Sequence, residues 1–369
     1  MTLLQQSGRA VPLSQPLLRR IREAGTSERS RATRNLDPYS YVSCWTEEES
    51  INGEDCKAMV VILATKGCSW AIRSGCSMCG YTNESSSSAT AESVWKQYKS
   101  ALLNLKDQRV LKIYTSGSFL DTFEISTELR RRILEDACSR VDRIVVETRH
   151  EYITSATLEH LSDFSDRVML AVGLESSNDM ILNYSVNKPS NFSHFVRTAR
   201  LAQSRGFKIK SYLMLKPPFT SETDAIEDAI RTAGEVAPYS HTVSVNPTNI
   251  QKDTVVELLW KRGAYRPPWL WSVVEVLRRS AECGTRVMSK PTGAGTIRGP
   301  HNCGRCDNRI MEAIADFSRH QDTSVLQNLE CGCKRVWEEE LMLSSLGSFV
   351  TEQDYRLNSG WLGDKIAGI

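Results

Sequence analysis

Cys68, Cys76 and Cys79 lie in ATKGCSWAIRSGCSMCGY, with seven and then two residues between them. Three thiolates on one loop suit an iron–sulfur cluster in which three irons carry cysteine and the fourth is open. An open iron accepts a chelating ligand, such as the amino and carboxylate groups of an amino acid. Two other readings compete: a zinc site short of one ligand, and cysteines adjacent by chance. Structural zinc takes four protein ligands, and no histidine lies between residues 45 and 149. That favours the cluster.

A second group is complete by itself. HNCGRC (301–306) and ECGCKR (330–335) supply Cys303, Cys306, Cys331 and Cys333, a CxxC and a CxC pair separated by 24 residues. Four thiolates are the set that structural zinc uses. The stretch between them reads as a helix whose ends the two knuckles would clamp. Spacing alone does not separate zinc from an auxiliary iron–sulfur cluster, and cysteines without metal are the third reading. His301 is a spare ligand candidate, and Arg305, Lys334 and Arg335 could face RNA phosphate, adding affinity without sequence information. The scattered Cys44, Cys56, Cys138 and Cys283 read as packed side chains.

The elements that position these residues follow from periodicity. Apolar, β-branched runs at 58–66, 111–116, 143–148, 167–175, 207–215 and 241–246 read as buried parallel strands. Amphipathic patterns at 90–106, 125–138, 154–162, 178–185, 191–205 and 221–236 fall between or after them. Such spacing gives right-handed βα crossovers. Six units predict an open, partial (β/α)6 barrel, in which chemistry collects at the C-terminal ends of the strands. The chain divides into a basic N-terminal extension (1–55), the barrel (56–285) and a C-terminal cysteine-rich, metal-binding region (286–369), read as a small zinc knuckle.

The cysteine loop follows the first of these strands. VVETRH (145–150) ends the third with Glu147 and Arg149 one residue apart, on the same face of an extended chain. A carboxylate there can accept both ribose hydroxyls of a nucleoside, and a guanidinium can pair with a carboxylate. Together with the open iron, these groups match S-adenosylmethionine (SAM). Lys216, in YLMLKPPF, and Asn246, in NPTNIQ, stand at the ends of the fifth and sixth strands and are candidates for substrate contacts.

Composition excludes several classes. With 369 residues, 40% hydrophobic and 24% charged, the chain is an ordinary globular protein. A net charge of +2 is too mild to announce a nucleic-acid binder. Seven arginines and no lysine in residues 1–36 offer a local exception. No run suits a membrane span and the N-terminus has no secretion signal, so the expected location is cytoplasmic.

The segments GCSWAIRSGCSMCGY, ETRHEYIT, VGLESSND, VNKPSNF, YLMLKPPFTSE and NPTNIQKDTVVELLWKRGAYRPPWLWSVVEVL resemble the radical SAM proteins of archaeosine biosynthesis (the RaSEA family), near the Elongator-like branch of radical SAM enzymes. The match runs from about 55 to 335, and the wide first cysteine gap is part of it. The resemblance implies a radical SAM barrel with a 4Fe-4S cluster on Cys68, Cys76 and Cys79. It gives Ser116 and Gly117, in YTSGSF, the role of holding the methionyl amino group. Gly173 and Glu175 fall on a Gly-x-Glu-Ser pattern of the branch, which adds Glu175 to the SAM residues. The implied reaction is a lyase step on tRNA: cleavage of a lysine C–N bond in the lysine adduct of 7-cyano-7-deazaguanine in the D-arm, giving archaeosine. Implied partners are tRNA, the lysine-transferring enzyme of the pathway and a one-electron reductant, with no membrane. Another Elongator-like or methylthio-transferring tRNA modifier, or a non-catalytic zinc RNA-binding protein, would share some of these features.

Overall fold

The structure, a computed structural model, describes residues 36–346; the arginine-rich stretch before them and the residues after lie outside it. Eight strands form one sheet in chain order: β1 (Ser43–Ile51), β2 (Glu54–Ile62), β3 (Val110–Tyr114), β4 (Arg143–Thr148), β5 (Val168–Glu175), β6 (Lys208–Leu215), β7 (Thr242–Pro247) and β8 (Arg286–Met288). β1 pairs antiparallel with β2, and every later pair is parallel. The helices are α1 (Ser69–Arg73), α2 (Ala91–Ala101), α3 (Thr127–Cys138), α4 (Ser155–His160), α5 (Phe192–Ser204), α6 (Glu222–Val236), α7 (Val255–Lys261), α8 (Leu270–Ser280), α9 (Asp307–His320) and α10 (Gly332–Leu346). Ser, Thr or Asn caps open α2 to α7: Thr90, Ser126, Thr154, Asn191, Ser221 and Thr254 each accept a backbone N–H, contacts worth ~1 kcal/mol apiece.

The two faces of the sheet carry different chemistry, as the period of two in a strand requires. Outward residues such as Ile113, Val146, Leu170, Ile209 and Val243 are fully buried under the helices and form the main core. Each contributes roughly 1.5–3 kcal/mol by leaving water. The inner face has only a small apolar set, including Val110, Val145, Met169 and Ala171. Lys112, Tyr114, Glu147, Lys210 and Tyr212 share that face.

The sheet rolls until its edges meet. Lys290, just past β8, donates to Glu47 Oε1 and to the Glu48 carbonyl of β1, each at 2.9 Å. Lys112 reaches Glu47 Oε1 at 2.6 Å and also pairs with Glu49. Two lysines and two carboxylates thus neutralise one another between β1, β3 and the end of β8. The result is a partial α/β barrel closed by side chains rather than by a strand ladder.

Six of the parallel strands are those read from the sequence. β1 and β8 are additions, and they shift the division drawn there. Residues 43–55, assigned to the N-terminal extension, form the hairpin edge of the barrel, and β8 lies within the stretch given to the metal region. β1 escaped because its acidic run, TEEES, reads as solvated. In the fold, Glu47 and Glu49 point inward to cations. The expected helix over 178–185 is instead a π-helical turn, Ile181–Val186. No helix among the described residues is long and apolar enough to cross a membrane.

Candidate active site and metal centre

The loop carrying Cys68, Cys76 and Cys79 leaves the C-terminal end of β2, with Cys68 standing at the N-cap of α1. Three sets of contacts fix it. The π-turn supplies the Val186 carbonyl to Ser77 N at 2.9 Å and the Ser185 carbonyl to Ser77 Oγ at 2.6 Å. The Asn187 amide holds the Gly75 carbonyl at 2.7 Å, and Trp70 Nε1 donates to the Asn187 carbonyl at 2.9 Å. From the end of β7, Gln251 Oε1 accepts the Gly80 N–H at 2.5 Å.

Gly117, after β3, sits against this loop. A Cβ there would meet Cys68 Cα and Cβ at 2.7 Å, closer than carbon atoms approach. Beneath it the Glu124 carboxyl accepts from Ser118 N at 2.6 Å and Thr65 Oγ1 at 2.5 Å. Burial raises this carboxyl to about 7, against the lowering by those donors. Glu124 ties the chain before Cys68 to the chain after β3. Sequence reading missed it, since nothing local marks a glutamate 59 positions from its threonine partner.

Arg149 comes to the same loop. Its guanidinium donates to Cys68 Sγ at 3.6 Å, pairs with Glu151, and leaves Nε buried without a partner. Ser116 Oγ is likewise buried and unpartnered. Glu147 lies deeper in the mouth, where burial first, and then Glu175, push its carboxyl up to about 7. The side chains of Tyr212 and Lys210 hold it back from rising further.

Glu175 takes a left-handed backbone (φ 79°) at a register shift between β5 and β6, and its carboxylate pairs with Lys188 at 2.8 Å. Lys188 also donates to the Gly173 carbonyl. A Cβ at Gly173 would come within 2.9 Å of that ammonium, so the glycine makes room for it. Burial raises the Cys76 thiol to about 12, with Cys79 and Cys68 adding to the rise and Lys188 opposing it. Lys188 is therefore a second cation, beside Arg149, in electrostatic range of the cysteine loop. VNKPSNF contains it, yet the sequence assigned it no role.

The two substrate candidates differ. Lys216 is in left-handed conformation (φ 59°), and its Nζ lies 2.6 Å from Glu222 with both side chains buried. Glu222 in turn accepts from Trp269 N and Ser272 Oγ of the α8 region. The ion pair ties β6 to α6 and α8, which is a structural engagement. Asn246 accepts from Ser244 Oγ at 3.1 Å at the end of β7.

Cys303, Cys306, Cys331 and Cys333 converge, with all four sulfurs within 4.8 Å of one another. The separations 303–306, 303–331 and 306–333 are 3.9, 3.7 and 3.6 Å. A tetrahedron with metal–sulfur bonds of about 2.3 Å has edges of about 3.8 Å. A cubane spreads its thiolates over separate irons and needs a wider set. Trp271 Nε1 donates to Cys333 Sγ at 3.3 Å and Asn302 Nδ2 to Cys306 Sγ at 3.5 Å. His301 turns its Nδ1 to the Gly299 carbonyl instead. Among the described residues this is the one set of cysteines, histidines or carboxylates so tightly convergent.

No protein-family model matches the chain. The archaeosine synthase subunit beta of Methanosarcina acetivorans is 41% identical over 306 residues, covering 80% of this chain and 88% of that protein. Its namesake from Thermococcus kodakarensis is 39% identical over 306 residues, covering 80% and 94%. Among solved structures, Methanocaldococcus infernus Elp3 lacking its N-terminus aligns with a TM-score of 0.47 at 17% identity, over 65% of this chain and 60% of that one.

Proposed function

The chain belongs to the archaeosine synthase subunit beta family, and on that premise we propose that it is a radical SAM lyase of tRNA modification. The substrate is the lysine adduct of 7-cyano-7-deazaguanine in the tRNA D-arm, and cleavage of a lysine C–N bond gives archaeosine. The observation that carries the reading is the cysteine loop itself. Its three thiols are clamped on one loop at the mouth of a parallel barrel, beside buried groups without partners. Ser116 Oγ and Arg149 Nε are the orphaned atoms, and a polar ligand would satisfy both.

Cys68, Cys76 and Cys79 would hold a 4Fe-4S cluster. With SAM bound beside it and a one-electron donor, such a cluster would supply radical chemistry through a 5′-deoxyadenosyl group. This chain's own residues orient and exclude water. Glu124 and Gly117 set the loop's position, Arg149 donates to Cys68, and Lys188 compensates the thiolates. Glu147 and Glu175 would offer carboxylates to ribose hydroxyls, Ser116 and Gly117 would hold the methionyl amino group, and Lys216 and Asn246 are the candidates for substrate contacts. A hydrogen bond to a cluster sulfur raises its reduction potential, which gives Arg149 a second role.

Cys303, Cys306, Cys331 and Cys333 would hold Zn2+, clamping α9 and α10 onto α8. The name shared by the relatives speaks of a subunit, so the lysine-transferring enzyme is the expected partner.

The test is anaerobic incubation of reconstituted protein with SAM, reductant and tRNA carrying the lysine adduct, read by mass spectrometry. Archaeosine with 5′-deoxyadenosine is the expected outcome. 5′-Deoxyadenosine with an untouched adduct would keep the radical chemistry and remove the substrate. Neither product from a cluster-loaded protein would remove both.

A further inference from the structure

The barrel has a second opening at the end opposite the cysteine loop. A hollow of about 210 Å³ lies at the N-terminal ends of the strands, bordered by the β1–β2 hairpin and by the first residues of β3 to β8. Part of its wall is apolar, from Val110, Val145, Met169 and Met288, and the Glu49 carboxylate, already held by Lys112 and Lys290, also lines it. Four cations reach it: Lys112, Arg143, Lys210 and Arg286.

Their charges are unequally satisfied. Lys112 is matched, since it shares Glu47 and Glu49 with Lys290 in the neutral quartet described above. Arg286 spends its guanidinium on the Ser318 and Arg319 carbonyls, which are dipoles and leave its charge uncompensated. The Arg143 guanidinium has no hydrogen-bond or ion-pair partner among the described residues, though Glu49 and Asp142 are in its electrostatic range. Lys210 is the most exceptional. It is 6% exposed, its Nζ has no hydrogen-bond or ion-pair partner, and its nearest ring, Tyr212, is 5.5 Å away. Burial first, then Lys112, lower its ammonium to about 7.

A buried amine without a partner is costly unless something binds it. We infer that this hollow is a binding site for a small oxyanion, carboxylate or phosphate, gripped by Lys210 with Arg143 and Arg286. A small anion rather than a nucleic-acid backbone is the ligand inferred, because Lys210 is only 6% exposed and the hollow holds about 210 Å³. The apolar walls favour an anion with an aliphatic body. The hollow opens at the end opposite the cysteine loop, and Lys210, one pleat or about 6.6 Å below Tyr212, is also within electrostatic range of Glu147.

The full chain, with its metals, would be titrated with inorganic phosphate and with hexanoate at constant ionic strength, sodium chloride serving as the blank. Binding would be read by calorimetry and by the unfolding midpoint. Saturable binding of either anion, weakened at least tenfold in Lys210→Met and in Arg143→Gln, is expected. Phosphate alone would assign the site to a phosphoryl ligand, and tighter hexanoate binding to a carboxylate with an aliphatic body. Absence of saturable binding by both, or binding undiminished in both variants, would overturn the inference. Should Lys210→Met fail to fold, Arg143→Gln, at the rim and only partly buried, carries the test, and iron content confirms that the opposite end is intact.

Discussion

Gly117 lies directly against Cys68, with no space for a methyl group between the end of β3 and the cysteine's own backbone. The cysteine loop is thereby seated by a steric fit at its first ligand, and Glu124 fastens both sides of that fit.

Gly117→Ala should push the loop outward. Overpacking of this kind costs typically about 1–3 kcal/mol, so the chain stays folded while the cysteines lose their register. Iron per chain after anaerobic reconstitution should fall by more than half, with circular dichroism nearly unchanged. Full iron loading in the variant would show that the loop is not positioned by this contact.

The two cysteine groups should fail differently. Cys68→Ala, Cys76→Ala or Cys79→Ala should abolish iron binding and turnover while the unfolding midpoint moves little. Cys303→Ala or Cys331→Ala should instead release zinc and lower stability by several kcal/mol, because structural metal binding is folding free energy. Elemental analysis beside thermal melts separates the cases. Equal iron loss from both groups would refute the assignment.

Glu147 gives a pH signature. Its folded carboxyl is raised to about 7 from the ordinary 4.5, so the folded state holds a proton that the unfolded state has released between those values. Stability from this group is present below 4.5 and falls as pH rises through 7. Glu147→Gln should therefore be more stable than the native chain at pH 8 and no more stable at pH 4. Binding of SAM to the native protein should tighten from pH 6 to 8, as the carboxylate forms, and the variant should lose that dependence. Parallel pH profiles in the two proteins would remove Glu147 from the nucleoside site.

Lys290→Met should open the barrel seam. Lys112 and Lys290 hold Glu47 and Glu49 below their usual range, overcoming the burial that acts first to raise them. Such depressed carboxyls contribute stability above the unfolded value near 4.5, and lose it as pH falls. Without Lys290 that loss should begin at higher pH, visible as an earlier acid transition. An unchanged acid limb would mean that Lys112 alone suffices.

The strands β2 to β7 were legible because parallel strands covered on their outer face read as apolar runs. The convergence of Cys303, Cys306, Cys331 and Cys333 was legible from spacing. What stayed hidden depends on partners far away in the chain. Glu47 and Glu49 look solvated until Lys112 and Lys290 are placed beside them, Glu124 needs Thr65, and Lys188 needs Glu175. Lys216 likewise gave no hint in the sequence that Glu222 pairs with it.

The seam also bears on how the molecule is made. Its first strand leaves the ribosome carrying two inward-facing carboxylates, and the second of the two lysines that neutralise them is residue 290. Until nearly the whole barrel has been synthesised, β1 can lie on β2 but has no complete set of counter-charges. The earliest strand in order of synthesis is thus among the last to be secured, and a chain truncated before residue 290 would expose an acidic edge.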